Sequence, residues 1–246
     1  MLKRRGFTLI ELLVVISVLM VLVAILAPTI AGVSNWARAV RCQANLNTVG
    51  KATTEYGGAN GGYYFAGKLV QSGTLVYYWG SRTFPVQTAT SPLAQYLKPD
   101  ALLCPSLAWG EFVPESGLTS PTTTYGYNAF CLDPQSYSRT GGRKTYDSIR
   151  DPGQLFVFVD AASVTFSAFQ NISFVDPPVP PQGMTLNPST HFRHPGPVAN
   201  ALCADGHTAS YETEGADTTS NATKIDAWDN FNLSSVGAAN LPHYAQ

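Results

Sequence analysis

The chain has 246 residues, of which 45% are hydrophobic and only 13% charged, where soluble domains average about 25% charged. Its 15 basic and 16 acidic side chains leave a formal charge of −1, so there is no basic field for nucleic acid and that class of partner is excluded. An aromatic content of 11% is too high for an unfolded chain.

The average hides an asymmetry. Residues 1–6 read Met-Leu-Lys-Arg-Arg-Gly, and residues 7–27 are apolar apart from a few small polar residues and one charge, Glu11. A helix of that length reaches about 31 Å, matching a bilayer core of about 30 Å. Lys3, Arg4 and Arg5 are expected to stay cytoplasmic and place the residues after Ala27 outside. An ordinary secretory signal has a shorter apolar region, about 7–15 residues long. A plain membrane anchor fits the length but leaves Glu11 without a role, since a carboxylate in the membrane costs about 2.5–3.5 kcal/mol on insertion scales.

The segment Lys-Arg-Arg-Gly-Phe-Thr-Leu-Ile-Glu-Leu-Leu, Lys3 to Leu13, resembles the cleavage and methylation motif of type IV prepilins and type II secretion pseudopilins. It has the short basic leader, Gly6 before the cut, Phe7 after it, and Glu11 as the fifth residue of the product. The resemblance implies that a prepilin peptidase cuts between Gly6 and Phe7 and that the Phe7 amine is N-methylated. Gly6 leaves the scissile backbone unobstructed. Glu11 would sit near the positive end of the new helix and neutralise the Phe7 amine of a neighbouring subunit during assembly.

Pro28 comes one residue after the apolar run, where a kink or local melting is expected. Beyond it Trp36, Val40 and Ala44 form one helical stripe, and Cys42, Leu46, Val49, Thr53 and Tyr56 form another. This spacing predicts a helix over 7–56 whose second half is amphipathic and covered by a head domain, with Gly57 and Gly58 as its stop.

From Gly57 onward Gly, Pro, Ser, Thr, Asn and Tyr dominate, as expected of short strands and long turns. Expected strands are 74–79, 125–130, 155–159, 198–204 and 207–211. The run 155–159, Leu-Phe-Val-Phe-Val, is apolar on both faces and is the expected central strand. Asp205-Gly206 is expected to form a two-residue hairpin turn, and the proline-rich run 176–181 an extended loop. The expected fold is α+β and pilin-like, a long N-terminal transmembrane and amphipathic helix packed on a mostly antiparallel β-sheet head. Its expected divisions are a cleaved leader (1–6), the helix (7–56, membrane-embedded over 7–27) and an exported head (57–246).

Several short segments of the head resemble one group of prepilin-type proteins, those with the "processing-associated H-X9-DG" segment and the domain of unknown function DUF1559. Arg41-Cys42-Gln43-Ala44-Asn45-Leu46, Leu103-Cys104-Pro105-Ser106 and Thr124-Tyr125-Gly126-Tyr127-Asn128 carry that likeness, with Arg193-His194, Asn200 and Ala204-Asp205-Gly206-His207 as the signature proper. Ten residues separate His194 from Asp205, where the group's pattern has nine.

His191, His194, Asp205 and His207 offer the ligand types of a zinc or similar site, but no rigid His-Glu-x-x-His helix face is present to fix them. In the plainer reading His194 hydrogen-bonds the hairpin and Asp205 makes the turn, with no metal bound. Calcium is the other cation to weigh, because some pseudopilins bind it near C-terminal loops. The tail supplies Glu212, Glu214, Asp217, Asp226 and Asp229, at spacings that match no EF-hand loop. No Gly-x-Ser-x-Gly elbow, phosphate loop or dinucleotide fingerprint appears, so no enzymatic activity is expected.

Cys42, Cys104, Cys131 and Cys203 would lie outside the cytoplasm, where disulfides persist. Four cysteines allow three pairings; a bridge from Cys42 to Cys104 would tie the helix to the head, and small buried thiols are the alternative. Tyr63, Tyr64, Phe65, Tyr77, Tyr78 and Trp79 read either as core or as a glycan-binding patch.

The resemblance implies a non-enzymatic subunit drawn from the inner membrane into a pilus or a secretion pseudopilus through its apolar helix. Its implied partners are the prepilin peptidase, copies of itself or other pilins, the inner-membrane assembly machinery and membrane lipid. The head is expected outside the cytoplasm. Two further readings stay open: a membrane-tethered binding module and, behind it, a metal-dependent exported enzyme.

Overall fold

The computed structural model describes residues 7–107, 110, 112–115, 118, 120, 122–165, 168–177, 189–213 and 233–234. The proposed leader and most of the acidic tail, including Glu214, Asp217, Asp226 and Asp229, lie outside the described residues, as does most of the proline-rich run.

Helix α1 spans Leu9–Ala59. It continues through Pro28, so the local melting expected there does not occur; one proline removes a single helical hydrogen bond. Nor does α1 end at Tyr56. Gly57 remains helical and the turn comes at Gly61 and Gly62, with φ of +65° and +78°. The amide of Gly62 donates to the carbonyl of Gly57 at 2.8 Å, the six-residue closure of a Schellman cap.

The chain forms two compact units, Met1–Ala37 and Arg38–Gln246, so the division falls inside α1 rather than at its end. In the first unit the span Leu9–Leu26 has a mean hydropathy of 3.2, and every side chain from Phe7 to Leu26 is exposed. The span Leu9–Leu26 is thus helical and apolar, with its side chains uncovered by the described residues.

In the second unit, strands β1 (Lys68–Gln71), β2 (Thr74–Tyr77) and β3 (Gly80–Ser81) form a small antiparallel sheet. Strand β4 (Tyr125–Tyr127) is followed by the short helix α2 (Ala129–Leu132), capped by Asn128, whose side chain accepts from the Cys131 amide. The strand expected over 125–130 therefore stops early. Then come β5 (Phe156–Asp160), the hairpin β6 (Ser163–Thr165) and β7 (Ala168–Gln170), β8 (Thr190–His191), β9 (Val198–Cys203), β10 (Thr208–Glu212) and β11 (Leu233–Ser234), which pairs with β8.

The main sheet has the order β10-β9-β5-β4, antiparallel throughout. All five residues of β5 are buried, as its two-sided apolar run requires. The β9–β10 turn is a three-residue loop, Ala204-Asp205-Gly206. It is closed by Gly206 N to Cys203 O and Cys203 N to His207 O, each 2.9 Å, with Gly206 at φ +90°. The loop is one residue longer than the expected turn, because Gly206 takes the left-handed position that comes after a type I turn.

The second half of α1 packs on this sheet. Cys42, Leu46, Val49, Ala52 and Thr53 are buried, while Trp36, Val40 and Ala44 are exposed. Thus the second of the two stripes carries the packing. Gly50 lets the helix approach Leu202 of β9; a Cβ there would stand 2.9 Å from Leu202 Cδ1. Gln43 donates to Ser210 Oγ at 2.8 Å and Asn47 to Thr208 Oγ1 at 3.2 Å, so polar side chains fix the helix over β10.

A register shift between Phe156 and Phe158 marks a bulge in β5. Phe156 and Val159 join the cluster with Val175, Phe192 and Ala201, whereas Val157 and Phe158 join the cluster beneath α1. Strict alternation from Phe156 would send Phe158 and Asp160 to the far face. The bulge changes the phase and turns both toward the helix.

Candidate functional site

Among the described residues, two places combine functional side chains in a defined geometry. The first is the start of α1. Thr8 lies just outside the helix, and Glu11 Oε2 accepts from Thr8 N at 2.8 Å and from Thr8 Oγ1 at 2.7 Å, while Glu11 N donates to Thr8 Oγ1 at 3.3 Å. This is a reciprocal capping box, whose sequence signature is the threonine three residues before Glu11. Phe7 is exposed beside it, and Gly6 lies outside the described residues.

The second place is buried under α1. Cys42 of the helix, Cys104 of the long β3–β4 connection, Asp160 at the end of β5 and His194 before β9 bring one ligand atom each to within 4.8 Å of all the others. The Cys42 thiol donates to Asp160 Oδ1 at 3.5 Å, and Cys104 Sγ stands 3.7 Å from His194 Nε2. His194 Nε2 donates to Asp160 Oδ2 at 2.9 Å, which also accepts the Asn200 amide at 2.8 Å. The Arg193 guanidinium lies 3.6 Å from Asp160 Oδ1, with both side chains within 2% of full burial. Arg193 further donates to the carbonyls of Thr124 and Ala161. The Tyr125 hydroxyl reaches Cys42 Sγ at 3.3 Å.

The local causes are visible. The Pro195-Gly196-Pro197 turn, with Gly196 at φ +89° and reciprocal His194–Val198 backbone bonds, folds His194 back onto the sheet. Cys104 is placed by its amide donating to Thr124 Oγ1 at 2.6 Å. Asn45 of α1 holds the same connection by donating to Leu103 O at 2.9 Å.

Burial alone would raise the carboxyl of Asp160, but the charge of Arg193 and the bonds from His194 and Asn200 hold it below the usual range. Burial would lower His194; its bonds to Asp160 and Cys104 outweigh that and raise it to about 9. Cys42 is driven up by burial, by Cys104 and by the charge of Asp160. Cys104 moves the other way despite its burial, because Cys42, His194 and Arg193 favour its thiolate.

Of the four candidate ligands weighed from sequence, His194 alone belongs to this cluster. His191 is buried against Phe169, with ring centroids 5.1 Å apart. Burial first, and then the nearby Arg193 charge, hold it well below the usual histidine range. Asp205 and His207 pair with each other on the hairpin at 2.6 Å, 40% and 45% exposed. Burial opposes the charge on Asp205, yet the bonds and charge of His207 together outweigh it and hold the carboxyl low. The expected set separates because a three-residue turn bonds its own flanking side chains and points them into solvent.

All four cysteines, weighed above as possible disulfides or as small buried thiols, are buried free thiols in the structure. Cys203 faces the other side of the sheet, 3.6 Å from the Tyr211 hydroxyl, and Cys131 lies in α2. The aromatic run is core. Tyr64, Phe65, Tyr77, Tyr78 and Trp79 are buried, Tyr77 stacks on Trp79 at 4.9 Å, and Tyr63 alone of the six is exposed.

Sequence reasoning gave no site role to Thr8, Asp160 or Arg193. The signal was present for Asp160, the charge that ends an otherwise apolar strand, since a buried carboxylate requires a partner.

Residues 1–27 match the family model described as the prokaryotic N-terminal methylation motif. Among curated proteins and among solved structures nothing matches. The motif supports a type IV prepilin-like protein, and with the apolar helix and antiparallel sheets it makes an α+β, pilin-like arrangement.

Proposed function

We propose that the chain is a non-enzymatic structural subunit, cut by prepilin peptidase between Gly6 and Phe7, N-methylated at Phe7, and assembled through α1 into a pilus or a type II secretion pseudopilus. The observation that carries this reading is the match of residues 1–27 to the methylation motif at the head of a helix whose apolar side chains from Phe7 to Leu26 are all exposed. Exposed apolar surface of that extent requires lipid or other apolar helices around it. In the membrane the subunit has the head outside, and in the filament neighbouring helices replace the lipid. Within the prepilin-like proteins the head motifs favour the H-X9-DG, DUF1559 group. The burial of Tyr64, Phe65, Tyr77, Tyr78 and Trp79 weighs against the glycan-binding alternative.

The test is co-expression of the full chain with a prepilin peptidase, then mass measurement and electron microscopy of sheared surface material. Loss of residues 1–6 with one added methyl group, and filaments containing the chain, are the expected results. An uncut chain, or a cut chain that never leaves the membrane fraction, overturns the proposal.

A further inference from the structure

We propose that Cys42, Cys104, Asp160 and His194 together bind one zinc ion, a structural site that clamps the second half of α1 to the head. This site is independent of the assembly reading, since it rests on residues of the Arg38–Gln246 unit alone.

The donor set selects the metal. Two sulfurs, an imidazole nitrogen and a carboxylate oxygen suit zinc, whereas calcium and magnesium require oxygen ligands. Bonds of about 2.3 Å to sulfur and 2.0–2.2 Å to nitrogen and oxygen in a tetrahedron place the ligand atoms about 3.3–3.8 Å apart. The Cys42–Asp160 separation of 3.5 Å and the Cys104–His194 separation of 3.7 Å already fall in that range. The 2.9 Å contact between His194 Nε2 and Asp160 Oδ2 is a hydrogen bond that the ion would replace, and it must lengthen slightly.

Charge balances as well. On binding, any proton on each cysteine sulfur is released to solvent as the sulfur bonds to zinc, and His194, whose bonds favour the protonated ring, releases the Nε2 proton to solvent and binds as neutral imidazole. Two thiolates and the Asp160 carboxylate then carry three negative charges, matched by the divalent ion and the buried Arg193. Two of the four ligands have outer-shell partners: the Asn200 amide and Arg193 on Asp160, and the Tyr125 hydroxyl on Cys42. All four ligands are protein side chains and all are buried, so no position is left open for a substrate and the site is structural rather than catalytic.

The experiment uses the full-length chain, purified in detergent under reducing conditions without chelator, incubated with zinc, freed of excess ion and analysed for bound metal. One zinc per chain is expected. Cys104→Ser and His194→Ala should bring the content to background, while His207→Ala, altering only the exposed hairpin pair, should leave it unchanged. Tyr125→Phe should weaken zinc retention about 10- to 100-fold against a competing chelator. Because the ligand variants risk misfolding, the wild-type protein is also exchanged with cobalt(II), and its spectrum should show tetrahedral cobalt–thiolate absorption. Absence of bound zinc in the wild-type protein overturns the proposal, and so does a cobalt spectrum without thiolate absorption.

Discussion

The Tyr146 hydroxyl donates to the carbonyl of Thr53 at 2.6 Å, and its ring lies so close to α1 that a Cβ on Gly57 would stand 2.1 Å from Tyr146 Cε2. Gly58, the next residue, has nothing within 4 Å of its own Cβ position. Two adjacent glycines in one helical turn are thus held for different reasons. Gly57→Ala forces the tyrosine ring off the helix and should destabilise the head by about 1–3 kcal/mol. Gly58→Ala should be neutral or stabilising by up to about 1 kcal/mol, because alanine lowers the entropy of the unfolded chain. Urea unfolding monitored by tryptophan fluorescence checks both; equal effects would show that the Tyr146 contact does not constrain the helix.

The buried ion pair gives a second prediction. Arg193→Met leaves the Asp160 carboxylate without its cation and should cost about 3–5 kcal/mol, as breaking a buried pair does. Combining it with Asp160→Asn should cost less than the sum of the two single changes. Simple additivity within about 0.5 kcal/mol in the urea midpoints would mean that the two charges do not couple.

A third prediction concerns pH. Glu115 accepts from Ser173 Oγ at 2.6 Å, and Ser173 Oγ in turn accepts from Trp79 Nε1 at 2.8 Å. Burial raises the Glu115 carboxyl above its ordinary value of 4.5, more than the Ser173 bond and the Arg82 and Lys68 charges lower it. A folded-state value above the unfolded one means that the native state holds the proton more tightly. The stability that Glu115 contributes is therefore complete below pH 4.5 and is lost as pH rises through the folded value. Glu115→Gln should match the wild type in denaturant midpoint at acid pH and exceed it near neutral pH. A variant that is less stable near neutral pH would contradict this sign.

These relationships differ in how far the sequence announces them. The Cys42–Leu46–Val49–Thr53 stripe, the two-sided apolar run of β5 and the turn around Gly206 are local patterns, and each is legible because its cause lies within a few residues. The buried cluster is not of that kind. Cys42 and Asp160 are 118 positions apart, and Cys104 and His194 are 90 apart. Their meeting depends on the bulge that re-phases β5 and on the loop that Asn45 pins to α1. Spacing arguments seek ligands close together in sequence, which is why they favour His191, Asp205 and His207. The same locality explains the misplaced helix end, since the ring that accommodates Gly57 arrives from Tyr146, far along the chain.

Glu11 offers the sharpest test of assembly, because two roles coincide on one side chain. Within the chain it closes the capping box by accepting from Thr8 N and Thr8 Oγ1, which satisfies donors at the start of the helix. In the proposed filament its charge also neutralises the Phe7 amine of a neighbour. Glutamine separates the two, since its side-chain carbonyl still accepts from Thr8 while the charge is gone. Glu11→Ala should lose the glutamate's half of the capping box and the charge, keeping the Glu11 amide bond to Thr8 Oγ1, and Glu11→Gln only the charge. If the charge pairs across subunits, both variants are processed by the peptidase yet yield few or no sheared filaments. If the cap is what matters, Glu11→Gln assembles like the wild type and Glu11→Ala alone fails. Quantifying the chain in sheared surface fractions against total membrane distinguishes the outcomes, and normal filaments from Glu11→Gln would refute the amine pairing while leaving the helix cap intact.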